Sequence, residues 1–291
     1  MANLANSSHH PMQRNENADG IGSGKIIRRK VDGAFEFLSD DLTVEEPLEI
    51  RIRRKTLATT MRTPGHDEEL AAGFLLSEGI VRLHDKIEKF SRPANARNRD
   101  NIVIVEPATA VKLKPGSMTR LGTISTSCGI CGKESIDAIR QNFPAIGSTK
   151  VRIDIETLLS LPGKLQKHQG DFARTGGIHA AAIFDINGKL KIVREDIGRH
   201  NAVDKSIGRE FLDGSLPLDR HVLLVSGRAS FEIMQKALAA GIPILAAVSA
   251  PSTLAVNFAR ESNQTLIGFL RPPSFNIYSH IERVILREES S

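Results

Sequence analysis

Val222-Leu223-Leu224-Val225 is an apolar run of strand length, followed by the polar Ser226-Gly227-Arg228-Ala229-Ser230 and a helical pattern over 231–240. Residues 242–248 repeat the apolar run, 253–262 repeat the helix, and 266–270 form a third strand. Short continuous apolar strands separated by helices suit a sheet buried on both faces. The stretch therefore predicts a βαβαβ unit with parallel strands and right-handed crossovers.

In such a sheet a ligand sits beyond the carboxyl ends of the strands. Three polar loops fall there: Ser226–Ser230, Ser249-Ala250-Pro251-Ser252-Thr253 and Arg271-Pro272-Pro273-Ser274. Ser230 and Ser252 stand at N-cap positions, so two helix N-termini share an edge with Arg228 and Arg271. Simple capping accounts for either serine alone. Arginine at two of three strand ends favours an anionic, phosphate-bearing ligand.

Working outward, 179–185, Asn187-Gly188 and 189–194 read as a hairpin with a type I′ turn. His179 by itself reads as a hydrogen-bonded core histidine. The cluster from Arg194 to Lys205 is dense in mixed charge around Gly198. Two readings stand: a salt-bridged helix start capped by Asn201, or a polar wall for a nucleotide or pterin that includes Asp196, Arg199, His200 and Asp204. In the second, Asp196 or Asp204 accepts from ring N–H groups.

Residues 157–168 read as helix. Upstream, Leu48, Ile50 and Ile52 alternate with charged residues and 56–63 returns, which predicts a half-buried antiparallel sheet. A helix follows Pro64-Gly65, with Asp67, Glu68 and Glu69 at its start, Leu70, Phe74 and Leu75 on one face and Gly79 closing it. Residues 102–105 and 111–113 read as strands, 114–127 as a mobile approach, and 134–142 as a helix. The expected organisation is a disordered tail over 1–24, a strand-rich N-terminal domain over 25–145 and a second domain over 146–287 that carries the strand-end loops.

The only two cysteines stand in Ser127-Cys128-Gly129-Ile130-Cys131-Gly132-Lys133. Small neighbours, an adjacent lysine and a following helix favour thiolate. A reactive or sulfur-carrying pair, a zinc site pooled between two chains, and an inert pair are all compatible with this spacing.

With no Trp, one Tyr and 12 Phe, the core must be aliphatic, and stacking platforms for nucleic acid are scarce. The net charge of +5 is spread along the chain and permits an anionic ligand. No apolar run approaches the roughly 18 residues of a membrane span, and residues 1–24 lack the apolar centre of a secretory signal. A cytoplasmic protein is expected, with no nucleic-acid or membrane partner.

The assembled residues resemble the FdhD family, sulfur carrier proteins required for formate dehydrogenase activity. The resemblance rests on Glu45-Glu46-Pro47-Leu48, Thr63-Pro64-Gly65-His66-Asp67, Gly73–Ile80, Cys128–Gly132, Gly177–Ala182, Glu195–Lys205, Ser226–Ser230 and Ala247–Ser252. It implies an α/β (α+β overall) protein with a cytidine-deaminase-like αβα C-terminal domain, acting as a homodimer. It also implies a sulfurtransferase that takes persulfide sulfur from a cysteine desulfurase and passes it to the molybdenum bis(molybdopterin guanine dinucleotide) cofactor of formate dehydrogenase. Cys128 then carries the persulfide with Cys131 as its partner, and Phe269-Leu270-Arg271-Pro272-Pro273-Ser274 is the cofactor-binding stretch, where a more usual ending is Pro-Gly-Arg. Ser226, Arg228, Ser230, Ser249, His179, Asp196, Arg199, His200 and Asp204 complete the expected site, with GDP or GMP as a mimic of the cofactor.

Deaminase zinc is not expected, because no His-x-Glu followed by Pro-Cys-x-x-Cys is present. No permanent metal is expected. The alternative is a non-catalytic molybdenum-cofactor chaperone whose cysteines are structural or zinc-linking.

Overall fold

The computed structural model describes residues 13–14, 20–108, 143–147 and 150–286. The strands β1 (Gln13–Arg14), β2 (Ile21–Arg29) and β3 (Phe35–Thr43) form an antiparallel ribbon, with β2 and β3 paired along all nine residues of each. Residues 21–24, expected within a disordered tail, lie in β2. Ile21 is fully buried at the ribbon root, a lone apolar residue between glycines that carries no periodic signal.

β4 (Glu46–Ile52) and β5 (Lys55–Arg62) form a hairpin that buries Leu48, Ile50 and Ile52, as the alternation predicts. The helix α1 (Asp67–Ser77) follows, and Gly79, at φ 67°, ends it by donating to the Leu76 carbonyl. β6 (Ile87–Ser91) and β7 (Ile102–Pro107) complete a sheet of order β5-β4-β7-β6. This sheet is mixed rather than antiparallel. β7 runs parallel to β4, because α1 and β6 intervene and return the chain in the same direction.

The C-terminal half contains β8 (Ile153–Asp154), α2 (Ile155–Gln166), α3 (Gly170–Thr175), β9 (His179–Asp185), β10 (Leu190–Asp196) and α4 (Arg199–Leu212). It continues through β11 (His221–Val225), α5 (Phe231–Ala239), β12 (Ile244–Ala247), α6 (Thr253–Glu261), β13 (Thr265–Arg271), β14 (Ser274–Ser279) and β15 (Val284–Ile285). The six-stranded sheet has order β10-β9-β11-β12-β13-β14, with β11, β12 and β13 parallel as read from the sequence. The turn between β9 and β10 is not type I′. Of Asn187 and Gly188 only the glycine is left-handed, at φ 74°, and the Asp185 carboxylate accepts from the N–H groups of Asn187 and Lys189.

Alternate residues of the sheet serve two cores. Ala180, Phe184, Leu224 and Ala246 meet Leu158, Leu161 and Leu165 of α2. Ile183, Leu223, Val225 and Leu245 meet α4, α5 and α6, and this cluster continues into Leu48, Ile50, Leu70 and Leu75. The two halves of the chain therefore share one apolar interior, joined where α1 packs against α4. The strand expected at 111–113, the approach 114–127, Cys128, Cys131 and the helix at 134–142 lie outside the described residues.

Candidate functional site

β9 runs antiparallel to β11, so His179 at its start lies beside the carboxyl end of β11. Ala180 and Ser226 exchange bonds there: the Ser226 N–H donates to the Ala180 carbonyl and the Ala180 N–H to Ser226 Oγ, each at 2.9 Å. The imidazole of His179 lies against the backbone of Gly227, where a Cβ would meet Nδ1 at 3.4 Å. Asp196 pairs with His179 across β10 and leads through Gly198 into α4, which brings Arg199 and His200 to the same edge.

The three strand-end loops are joined through their backbones. The Ala229 N–H donates to the Ala250 carbonyl, Ser252 N–H to the Ala229 carbonyl, and Phe269 N–H to the Ser249 carbonyl. Arg271 Nε donates to the Val248 carbonyl at 3.0 Å and its side chain is exposed, as are Phe269, Pro272, Pro273 and Ser274. Leu270, in contrast, is fully buried in the sheet core, so its side chain faces away from any ligand.

The electrostatics of this edge are cationic. Arg199 stands at the first position of α4, and its Nε is buried without a hydrogen-bond partner. Burial, with the charges of Arg199 and Arg228, holds His179 below the usual imidazole range. His200 is pushed down to about 4 by burial and by Lys236 and Arg199. A neutral imidazole can accept or donate one bond, and His200 Nε2 lies 3.1 Å from Ser230 Oγ. Ser230 therefore does not cap α5 with its side chain, whereas Ser252 does cap α6 by accepting from Ala255 N–H at 3.2 Å. Beneath the edge lies a cavity of about 190 Å³, lined by Ile50, Leu70 and Phe74 from the N-terminal half and by His179, His200 and Glu232 from the C-terminal half. Burial raises the carboxyl of Glu78, which also lines it.

Asp196 and Asp204 do not offer acceptors to a ring. Asp196 is fully buried, 2.7 Å from Lys205 Nζ, and accepts from Thr63 N–H, Gly198 N–H and Asn201 Nδ2. Asp204 is buried against Lys236 Nζ at 2.7 Å and accepts from Ser77 Oγ. Both carboxylates fasten the two halves of the chain together. Sequence reasoning missed Lys236 and Glu232; two charges in the amphipathic pattern of α5 resemble an ordinary solvated face, and only the fold turns them inward. Among the described residues no three His, Cys, Asp or Glu side chains gather as a metal requires, and no helix is long and apolar enough to cross a membrane.

The model of the FdhD/NarQ family matches residues 43–285. The chain belongs to the FdhD/NarQ family. Relatives named sulfur carrier protein FdhD include that of Streptomyces avermitilis, 52% identical over 269 residues, covering 90% of this chain and 95% of that one. That of Mycobacterium tuberculosis is 47% identical over 253 residues, covering 84% and 92%. The fold is that of the crystal structure of a candidate formate dehydrogenase accessory protein from Desulfotalea psychrophila, with a TM-score of 0.72 at 21% identity, covering 91% of this chain and all of that one. The FdhD/NarQ match includes every element of the cationic edge and both cysteines, and begins at the last residue of β3, so almost all of the β2–β3 ribbon precedes it.

Proposed function

We propose that this FdhD/NarQ family member is a sulfur carrier serving formate dehydrogenase. The observation that carries the reading is the set of relatives of that name, 52% and 47% identical over most of both chains. The chemistry agrees with it. A carrier needs one accessible thiolate, and Cys128 and Cys131 are the only sulfur nucleophiles in the chain.

In this reading Cys128 attacks the sulfane sulfur of a cysteine desulfurase persulfide, the donor leaves as thiolate, and Cys128 holds the sulfur with Cys131 as its partner. The acceptor is the molybdenum bis(molybdopterin guanine dinucleotide) cofactor destined for the formate dehydrogenase apoenzyme. Its pyrophosphates suit Arg199, Arg228 and Arg271 at the carboxyl edge of β11–β13, and a guanine nucleotide mimics one end of it. The cytidine-deaminase-like description of the C-terminal half and assembly as a homodimer belong to the same proposal.

The test is complementation. Cells lacking their own family member should regain formate dehydrogenase activity with the wild-type chain and not with Cys128→Ala present at equal abundance. Full activity with Cys128→Ala would overturn the sulfur-carrier assignment.

A further inference from the structure

The β2–β3 ribbon projects from its root as an arm, and one of its faces is apolar and uncovered. Its register pairs Ile27 with Phe37 and Arg29 with Phe35, so these four side chains share a face with Lys25. Phe37 is 78% exposed, Phe35 68% and Ile27 53%, and Val31 at the tip is fully exposed. In a chain with only 12 Phe, two neighbouring Phe facing solvent on one strand form a patch rather than scattered surface residues. The root is secured by Asp41 with Arg174 at 2.7 Å and by Thr43 Oγ1 donating to Thr175 Oγ1 at 2.9 Å. Beyond it no second layer covers the arm among the described residues, and a two-stranded ribbon alone is marginal in water.

The charges indicate what covers it. On the opposite face Arg28 lies 3.8 Å from Asp40, and near the tip Lys30 lies 3.4 Å from Glu36. Lys25 and Arg29, on the apolar face, have no ion-pair partner among the described residues. A second copy docking through the same face would bring its own Lys25 and Arg29 against them, like charge against like. An anionic bilayer would meet Asp32, exposed at the tip beside Val31. We infer that the arm docks into another protein, in an apolar groove bordered by carboxylates that receive Lys25 and Arg29. The inference rests on the sulfur-carrier reading only for the choice of probes, the purified cysteine desulfurase and the formate dehydrogenase apoenzyme of the same host.

The test compares the full-length wild type with Phe35→Ser/Phe37→Ser and with Lys25→Glu/Arg29→Glu, each first shown to be folded by circular dichroism. Binding to both enzymes is measured by biolayer interferometry at two salt concentrations. The expected result is binding of the wild type to one enzyme that weakens with salt, and at least a tenfold loss of that affinity in both variants. Wild-type affinity in both variants overturns the arm while leaving the carrier reading intact. A wild type that binds neither enzyme overturns both. Loss of self-association alone, or of binding to phosphatidylglycerol vesicles alone, overturns the arm as a site for another protein.

Discussion

Gly73 of α1 and Gly208 of α4 bring the two helix backbones into contact: a Cβ on Gly208 would lie 2.7 Å from Gly73 N and 1.8 Å from the Glu69 carbonyl oxygen, and one on Gly73 would lie 2.0 Å from the Asp204 carbonyl oxygen. No rotamer relieves such a clash, because the obstructing atoms are backbone. Gly208→Ala should force α1 away from α4, at a cost above the roughly 1–3 kcal/mol of ordinary overpacking. Denaturant unfolding measures it, and a midpoint equal to the wild type would show that the helices do not cross there.

The same crossing holds a pH-sensitive carboxylate. Glu69 accepts from Arg194 Nη2 at 2.8 Å, and despite burial the bonds from Arg194 and then His66 hold it down at about 2, against 4.5 unfolded. A depressed carboxylate contributes fully above pH 4.5 and is lost as pH falls toward 2, so Glu69→Gln should cost about 3 kcal/mol at pH 6 and far less near pH 2. Urea titrations of both proteins across that window check the slope.

His200 gives the opposite test. Its imidazole titrates at about 4 when folded and at 6.5 in the unfolded reference, so below pH 6.5 the unfolded chain binds a proton that the native protein does not. Native stability should fall between pH 6.5 and 4 by an amount that His200→Gln removes. NMR titration of the His200 ring with an ordinary midpoint would contradict the buried, neutral imidazole.

The buried pair Lys205–Asp196 should be far more sensitive than an exposed one. Lys205→Met strands the Asp196 carboxylate in the interior, where loss of one partner costs roughly 3–5 kcal/mol. Arg209→Met, which breaks the exposed pair with Asp213 at 2.8 Å, should leave the unfolding midpoint near wild type. Equal midpoints for the two variants would argue against the burial of Lys205.

At the cationic edge, Arg228→Ala should lower GDP affinity by about 1.5–3 kcal/mol, a tenfold or greater loss, with unfolding unchanged because the side chain is exposed. Isothermal calorimetry decides it. Wild-type affinity would remove Arg228 from the site.

The parallel core was legible because Val222–Val225 and Ile244–Ala247 are unbroken apolar runs, a pattern that only burial on both faces requires. The loops after those strands were legible for the same reason, since topology assigns them to one edge. Side-chain partnerships were not. Asp204 reads as a polar wall residue until the fold places Lys236, 32 positions later, against it. Ser230 reads as a cap until His200 arrives from another helix. The parallel placement of β7 beside β4 is also invisible to periodicity, which specifies the buried face of a strand and not its neighbour.

The central claim is that Cys128 carries sulfur. Purified wild type, Cys128→Ala and Cys131→Ala are each incubated with cysteine desulfurase and cysteine, then weighed intact without reductant. The account predicts a mass increase of one sulfur on the wild type and on Cys131→Ala, and none on Cys128→Ala. An equal increase on Cys128→Ala, or none on the wild type, would contradict it.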